Sequence, residues 1–362
     1  MSARIAIVLP RKEAFALDRF GAISLVVEAY VRHSVYRPVT QVLGMPVARP
    51  RDGTMFCATM AKDHWWRRRN RGFALGAADH LAANPPRHID VHNRVETFTL
   101  LAKRFPNAAV SIWFHNDPQG MRGARTARER QRILDRAHVV ICVSDWVRDR
   151  FLDGVTNHVG RVVVFPASFD TVAVTPAAKE NLILFVGRII EEKGVLPLAQ
   201  ALAETLPELP AWRATLIGSG ANGDYFRRVV KTVAPLGERV TMPGFLDHEA
   251  AMTAFARAAI AVVPSQWPEP CALTVREAMA SGCATIASSR GGTPQIIADA
   301  GILVEPPDAA GLADALRRLA RDDRLREYFQ WQGRTRAIEA LDVRPWAARL
   351  DAMRRTIDAG LD

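Results

Sequence analysis

The sequence is short of the features that would assign a class at once. Its four cysteines, Cys57, Cys142, Cys271 and Cys283, show no metal-type spacing. Cys142 and Cys283 lie in apolar contexts and read as buried thiols, which suits a cytoplasmic protein. No apolar run approaches the ~18 residues of a membrane-crossing helix. The opening stretch Met1 to Pro10 has too short an apolar core for a signal peptide and reads as the first strand of a sheet. There is no fixed-period repeat and no low-complexity tract. What remains is an ordinary globular composition, 49% hydrophobic and 24% charged, in 362 residues, a length that suits two domains.

Charge is unevenly placed. Residues 1–176 carry 26 Lys and Arg against 15 Asp and Glu, and residues 177–362 carry 22 against 23. The whole net charge of +10 therefore belongs to the first half. A basic half implies an anionic partner, with plain solubility as the bland alternative. Both halves alternate short apolar runs with helix-like stretches. Strands are expected at 4–9, 39–44, 89–91, 109–114, 139–143 and 161–165, then at 182–186, 214–217, 240–242, 260–263, 284–287 and 302–304. Helices are expected at 21–32, 73–83, 95–104, 124–136 and 145–153, then at 195–206, 225–234, 248–258, 274–281 and 311–321. Alternation of this kind predicts βαβ units and parallel sheets, an α/β chain of two Rossmann-like domains. The reading assigns 1–170 to the first, 180–338 to the second and 339–362 to a C-terminal amphipathic helix, with a linker near 166–181. Ligands of such sheets bind beyond the carboxyl ends of the strands.

The most informative segment runs from Pro264 to Gly282. It follows the apolar strand Ala259-Ile260-Ala261-Val262-Val263 and enters a helix from Leu273 to Ala280. Glu269 falls in the loop and Glu277 about two turns into the helix, eight positions on. A helix N-terminus is an anion site, and the backbone amides of Cys271, Ala272 and Leu273 are candidate phosphate donors. The Glu-x7-Glu element, the following Ala278-Met279-Ala280-Ser281-Gly282 and then Gly291-Gly292-Thr293-Pro294 resemble the signature of family-four retaining glycosyltransferases of the GT-B fold. The chain departs from that pattern at Cys271-Ala272, usually Phe-Gly, and at Gln295, usually Glu.

The resemblance implies two Rossmann-like domains facing across a cleft, with the terminal helix crossing back to the first. It implies that Glu277 binds the ribose hydroxyls and that Glu269 contacts the transferred sugar and supports charge at its anomeric carbon. Gly187-Arg188 ends a strand and Lys193-Gly194 opens a helix; in the resembling family this pair of cations binds the diphosphate. Two fixed cations also suit the charge that grows as a glycosidic bond breaks. The bland alternative pairs them with Glu191 and Glu192. His115, closing the strand 109–114, falls where the family places a histidine on the donor sugar. Asp117 is a weaker candidate, and Arg94, in Val91-His92-Asn93-Arg94, lines the acceptor side. Gly21 stands where the family uses a glycine-rich loop, though this chain has one glycine of the usual pair. Gly218, in Gly218-Ser219-Gly220-Ala221-Asn222-Gly223, matches G-x-G-x-x-G but lacks the acidic residue of a dinucleotide site, so it reads as a tight turn near the nucleotide. Phe245 and Leu246 border the base.

Trp65-Trp66-Arg67-Arg68-Arg69-Asn70-Arg71 mixes aromatics with cations, the composition of an interfacial membrane contact or a grip on an anionic acceptor. A solvated loop has the same composition, and nucleic acid is not expected. No Asp-x-Asp triplet occurs, so no metal ion or other cofactor is expected. The expected function is transfer of a hexose-type sugar from a UDP-linked donor to a saccharide or lipid-linked acceptor of bacterial surface glycan or lipopolysaccharide synthesis, at the inner face of the membrane. A phosphorylase or synthase on the same fold, a non-catalytic nucleotide-binding module and a nicotinamide-dependent oxidoreductase stay open at this point.

Overall fold

A computed structural model describes residues 4–17, 21–51, 55–61, 69–171, 174, 177–220 and 223–361. The chain divides into two units, Met1–Phe169 with Val343–Asp362, and Asp170–Asp342. The first unit holds strands β1 (Ile5–Val8), β2 (Thr40–Gly44), β3 (Met55–Ala58), β4 (His88–His92), β5 (Ala109–Phe114), β6 (Val140–Cys142) and β7 (Val162–Val164). Its helices are α1 (Ala22–His33), α2 (Arg69–Ala83), α3 (Val95–Arg104), α4 (Ala127–Arg136) and α5 (Asp145–Leu152). The second holds β8 (Glu180–Val186), β9 (Arg213–Ile217), β10 (Val240–Gly244), β11 (Ala258–Val263), β12 (Ala284–Ser288) and β13 (Ile302–Val304). Its helices are α6 (Val195–Thr205), α7 (Asp224–Val233), α8 (His248–Arg257), α9 (Leu273–Ala280), α10 (Thr293–Ile297), α11 (Ala309–Arg321) and α12 (Asp323–Ala340). The last helix, α13 (Val343–Leu361), belongs to the first unit.

Each unit is built on a parallel sheet, ordered β3-β2-β1-β4-β5-β6-β7 in the first and β10-β9-β8-β11-β12-β13 in the second. Parallel strands are covered on both faces, which is why the central ones read as unbroken apolar runs. All six residues of β11 are buried, as are all five of β12. Around them Ile183, Leu198, Leu202, Leu216, Ile260, Ile286, Leu312 and Leu316 form one core. In each sheet the strand order reverses once, between β1 and β4 and between β8 and β11. Such a switch point opens a crevice at the carboxyl ends of its two strands.

Three elements were not expected. β3 is a four-residue strand at the edge of its sheet, too short to show a period. α10 spans five residues. α12 is eighteen residues long yet fully buries just Gly333 and Ala337; Leu325 and Phe329 pack part-buried on the core along the same side, a stripe too narrow and too mixed with charge to stand out in the sequence. Two helix starts moved by three residues or more. α2 begins at Arg69, and α4 begins at Ala127, because Thr126 and Glu129 close a capping box in front of it.

α13 is tied to the first unit by ionic contacts. Asp351 accepts from Ser34 Oγ at 2.6 Å and Val35 N at 2.8 Å. Arg354 meets Asp90 of β4 at 2.5 Å with both side chains buried, and Asp358 meets His88 Nε2 at 2.9 Å. Among the described residues no helix is long and apolar enough to cross a membrane.

Candidate functional site

The loops at the second unit's switch point are built against each other. After β8 the chain turns through Gly194, whose φ of +67° suits glycine. A Cβ there would lie 1.9 Å from the carbonyl oxygen of Pro264, which follows β11. The amides of Gln266 and Trp267 both donate to Glu192 O, at 2.9 and 3.2 Å. This junction brings Lys193 to Glu269: their side chains form an ion pair, and Ser265 Oγ donates to the same carboxylate oxygen at 2.8 Å. The bland alternative of Lys193 paired with its neighbours Glu191 and Glu192 is therefore replaced by a contact 76 positions away. Arg188 is exposed on the same loop.

Glu269 is also gripped from behind. Gly292 N donates to its carbonyl at 2.7 Å, and Gly291, with φ of +62°, packs where a Cβ would stand 2.2 Å from that oxygen. Gly291 is thus explained by a backbone that passes too close for any side chain. α9 then begins at Leu273. Its N-cap, Ala272, offers no side-chain oxygen, so the first turn carries no side-chain cap. Glu277 is the fifth residue of α9, little more than one turn in and not two, because each turn takes 3.6 residues. It is buried, and His248 Nε2, at the start of α8, meets its Oε1 at 2.9 Å. α9 ends in a Schellman motif: Gly282 N bonds Met279 O at 2.9 Å and Cys283 N bonds Ala278 O at 3.0 Å.

The remaining candidates of this unit line the neighbouring strand ends. Gly187 N donates to Ile217 O at 3.0 Å, Ile189 N to Ser219 O at 3.0 Å and Gly218 N to Gly244 O at 2.8 Å. A Cβ on Gly218 would stand 1.7 Å from Gly187 O, so the turn after β9 is pressed against the turn after β8. Phe245 is exposed just beyond β10, and Leu246 packs on a small apolar cluster. Cys271 is half-buried and not in a disulfide. Gln295 is exposed, and its carbonyl accepts from Arg336 at 2.7 Å.

At the first unit's switch point, Gly21 is the N-cap of α1. The place its Cβ would take is filled by the Glu13 carboxylate, which accepts from Ser24 N at 2.8 Å and Ser24 Oγ at 2.9 Å. Arg94 occupies the N-cap position of α3 without a capping side-chain hydrogen bond and donates to Asn93 O at 2.8 Å. Burial lowers its pKa, Glu13 opposes that shift and Arg11 adds to it. His115 follows β5 and lies 2.8 Å, Nε2 to Nδ1, from His92 at the end of β4. Burial pushes His115 down to about 3. It also holds His92 well below its ordinary value, with help from the charges of His115 and Arg354. Asp117 has a local structural part: it caps Gln119 N at 2.9 Å and takes a two-pronged contact from Arg150. Trp65, Trp66, Arg67 and Arg68 lie outside the described residues, while Arg69 and Arg71 are exposed in the first turn of α2. The contacts of His248, Ser265, Glu13 and His92 were not foreseen. Each depends on a meeting between distant segments that no local spacing announces. Among the described residues no group of three or more His, Cys, Asp or Glu stands where it could hold a metal ion.

Residues 169–336, which carry the Lys193–Glu269 and His248–Glu277 pairs, match the family described as Glycosyl transferases group 1. The second unit is a group 1 glycosyl transferase domain. A Streptomyces coelicolor exopolysaccharide phosphotransferase is 33% identical over 44% of this chain and 17% of its own length. A lipopolysaccharide 1,2-N-acetylglucosaminetransferase of Salmonella typhimurium is 22% identical over 68% of this chain and 67% of its own. Spore coat protein SA of Bacillus subtilis is matched over 61% of its length, so several curated relatives extend well beyond what this chain matches. Among solved structures, Anabaena HepE in complex with UDP superposes with a TM-score of 0.77 at 17% identity, over 98% of this chain and all of that one. That likeness establishes a GT-B type fold of two parallel-sheet Rossmann-like domains for the chain.

Proposed function

We propose that the protein is a retaining, metal-independent glycosyltransferase that moves a hexose-type sugar from a UDP-linked donor to a saccharide or lipid-linked acceptor of bacterial surface glycan or lipopolysaccharide synthesis. The observation that carries the reading is the Lys193–Glu269 pair beside an α9 N-terminus without a side-chain cap, inside the region that matches the family. The diphosphate is taken by Arg188, Lys193 and the amides of Cys271, Ala272 and Leu273, so developing charge is met by fixed cations and a helix end. Glu277 takes the ribose hydroxyls, with His248 holding its carboxylate. Gly187 and Gly218 let the nucleotide approach the backbone, and Phe245 and Leu246 border the base. Glu269 faces the anomeric carbon and His115 the sugar hydroxyls. The leaving phosphate assists deprotonation of the acceptor on the same face of the sugar, which needs no covalent nucleophile. UDP is favoured because HepE was solved with it, and a surface-glycan acceptor because of the named Salmonella and Streptomyces relatives. The basic first unit takes the anionic acceptor through Arg94 and the 65–71 stretch at the inner membrane face.

The test is a panel of nucleotide diphosphates and nucleotide sugars, scored by thermal shift and by diphosphate release. Stabilisation by uridine nucleotides, with donor hydrolysis lost in Glu269→Ala, is the expected result. No shift with any nucleotide refutes the transferase reading, and nucleotide binding without turnover leaves a binding module.

A further inference from the structure

β4 and β5 are parallel neighbours, and their register sets His92 opposite Trp113. His115 lies two residues beyond Trp113, on the same face of the sheet. The three rings therefore stack. The centroids of His92 and Trp113 are 5.2 Å apart with planes within 11°, and those of Trp113 and His115 are 6.1 Å apart with planes within 18°. Asn93 fixes the exit of the pair. It adopts φ of +56°, donates its amide to Trp113 O at 2.8 Å and accepts from His115 N through its side chain at 3.2 Å. A non-glycine residue in that region costs conformational energy and persists where the surroundings demand it.

An imidazole–imidazole contact of 2.8 Å between Nδ1 of His92 and Nε2 of His115 holds one proton. If His92 Nδ1 carries it, His115 Nε2 accepts, and a neutral His115 is then protonated at Nδ1. If His115 Nε2 carries it, His115 Nδ1 is an acceptor. The tautomer of one ring dictates that of the other, and so sets whether Nδ1 of His115 is a donor or an acceptor. His92 itself lines a small cavity with Asp90, Arg354, Trp113 and Tyr30. Arg354 and Asp90 form an ion pair there, and Trp113 Nε1 has no hydrogen-bond partner among the described residues.

We infer that His92 is a positioning residue for His115: it fixes the ring and tautomer of His115, so that Nδ1 meets a sugar hydroxyl with a set donor or acceptor character. This rests on the transferase reading for the identity of the ligand, while the pairing of the two rings does not. No net proton is gained or lost when the pair switches, since the proton leaving one end of the two-ring chain is matched by one taken up at the other.

The experiment is two-bond 1H–15N spectroscopy of the full-length 15N-labelled protein, with His115→Ala used to assign the rings, alongside donor kinetics. In the wild type one downfield proton should couple to a nitrogen of each ring, and each ring should show one dominant tautomer. In His92→Phe the His115 nitrogens should move to the averaged values of a mixed tautomer, and the donor KM should rise about fivefold, the size of one neutral hydrogen bond. His92→Asn, whose amide stands near the place of Nδ1, should restore both. Wild-type rings with independently mixed tautomers, or His115 signals unmoved in His92→Phe, overturn the inference. If His92→Phe does not fold, the wild-type coupling decides alone. A protein that shows the shared proton but hydrolyses no nucleotide sugar keeps the pairing and discards the transferase reading.

Discussion

Gly291→Ala should uncouple Glu269 from its support. The added Cβ would stand 2.2 Å from Glu269 O, 2.6 Å from Glu269 N and 2.7 Å from the Pro268 carbonyl carbon. All three are backbone atoms, so no side chain can rotate away and the 268–269 segment must shift. The left-handed φ of +62° adds about 1 to 2 kcal/mol for any residue with a Cβ. Overpacking of this kind adds about 1 to 3 kcal/mol, and loss of the Gly292–Glu269 bond about 1. Gly282 is the matched control. Its φ is +73°, but its Cβ would meet nothing nearer than Lys179 Cε at 3.7 Å, so Gly282→Ala should lose the backbone part alone. The expected gap between the two variants is therefore about 2 to 4 kcal/mol. Urea unfolding measures that gap, and the emission of Trp267, half-exposed on the same loop, reports the displacement in the folded protein. Donor turnover in Gly291→Ala should fall about a hundredfold, the usual penalty for misplacing a reacting group by an ångström. Equal stabilities for the two variants, or an unmoved Trp267 spectrum with full turnover, would refute the reasoning.

Two further outcomes are expected of the first unit. Arg354→Met should destabilise by about 3 to 5 kcal/mol because it strands the buried Asp90 carboxylate, while the double variant with Asp90→Asn should recover most of that loss in urea unfolding. Both His92 and His115 are depressed by burial, so the folded unit resists protonation where the unfolded chain accepts it. Stability should be fully present above pH 6.5, the ordinary histidine value, and be lost progressively as pH falls toward about 3. By pH 5 the His115 contribution alone is about 2 kcal/mol, and His115→Phe should flatten the difference between urea midpoints at pH 7 and pH 5.

The second unit was the more legible half for a physical reason. Its central strands are buried on both faces and show as apolar runs, and several of its candidate site residues stand in the loops directly after them. Glu269, Lys193 and Gly291 could thus be singled out one at a time. What spacing could not supply was their partners. Lys193 appeared able to satisfy itself on Glu191 or Glu192, whereas the left-handed turn at Gly194 and the amides of Gln266 and Trp267 carry it across to Glu269. His248 is 29 positions from Glu277 and reaches it because α8 begins beside α9. In the first unit, His92 and His115 each drew notice as strand-end residues. Their pairing needed the β4–β5 register, and register is a property of two segments.

The same contrast bears on which helix end suits the proposed phosphate. Helices follow both strands of each switch point, α1 and α3 in the first unit and α6 and α9 in the second, and α1 and α9 make the sharpest comparison. Overall charge would choose α1, since the first half carries the entire positive excess. The proposed reading takes α9, and the local structure supports it. At α1 the Glu13 carboxylate already accepts from the third residue's amide and hydroxyl, and it occupies the space that Gly21 leaves open. A second anion there would meet that negative charge at contact distance, and repulsion of that order outweighs the ~0.3–1 kcal/mol a helix end contributes. At α9 the N-cap is alanine, which makes no side-chain hydrogen bond to the first turn, and the carboxylates nearby are held by Lys193 and His248. Net charge therefore does not favour α1 over α9. An end without a side-chain cap, whose nearby acids are held by neighbours, favours α9 for the proposed diphosphate.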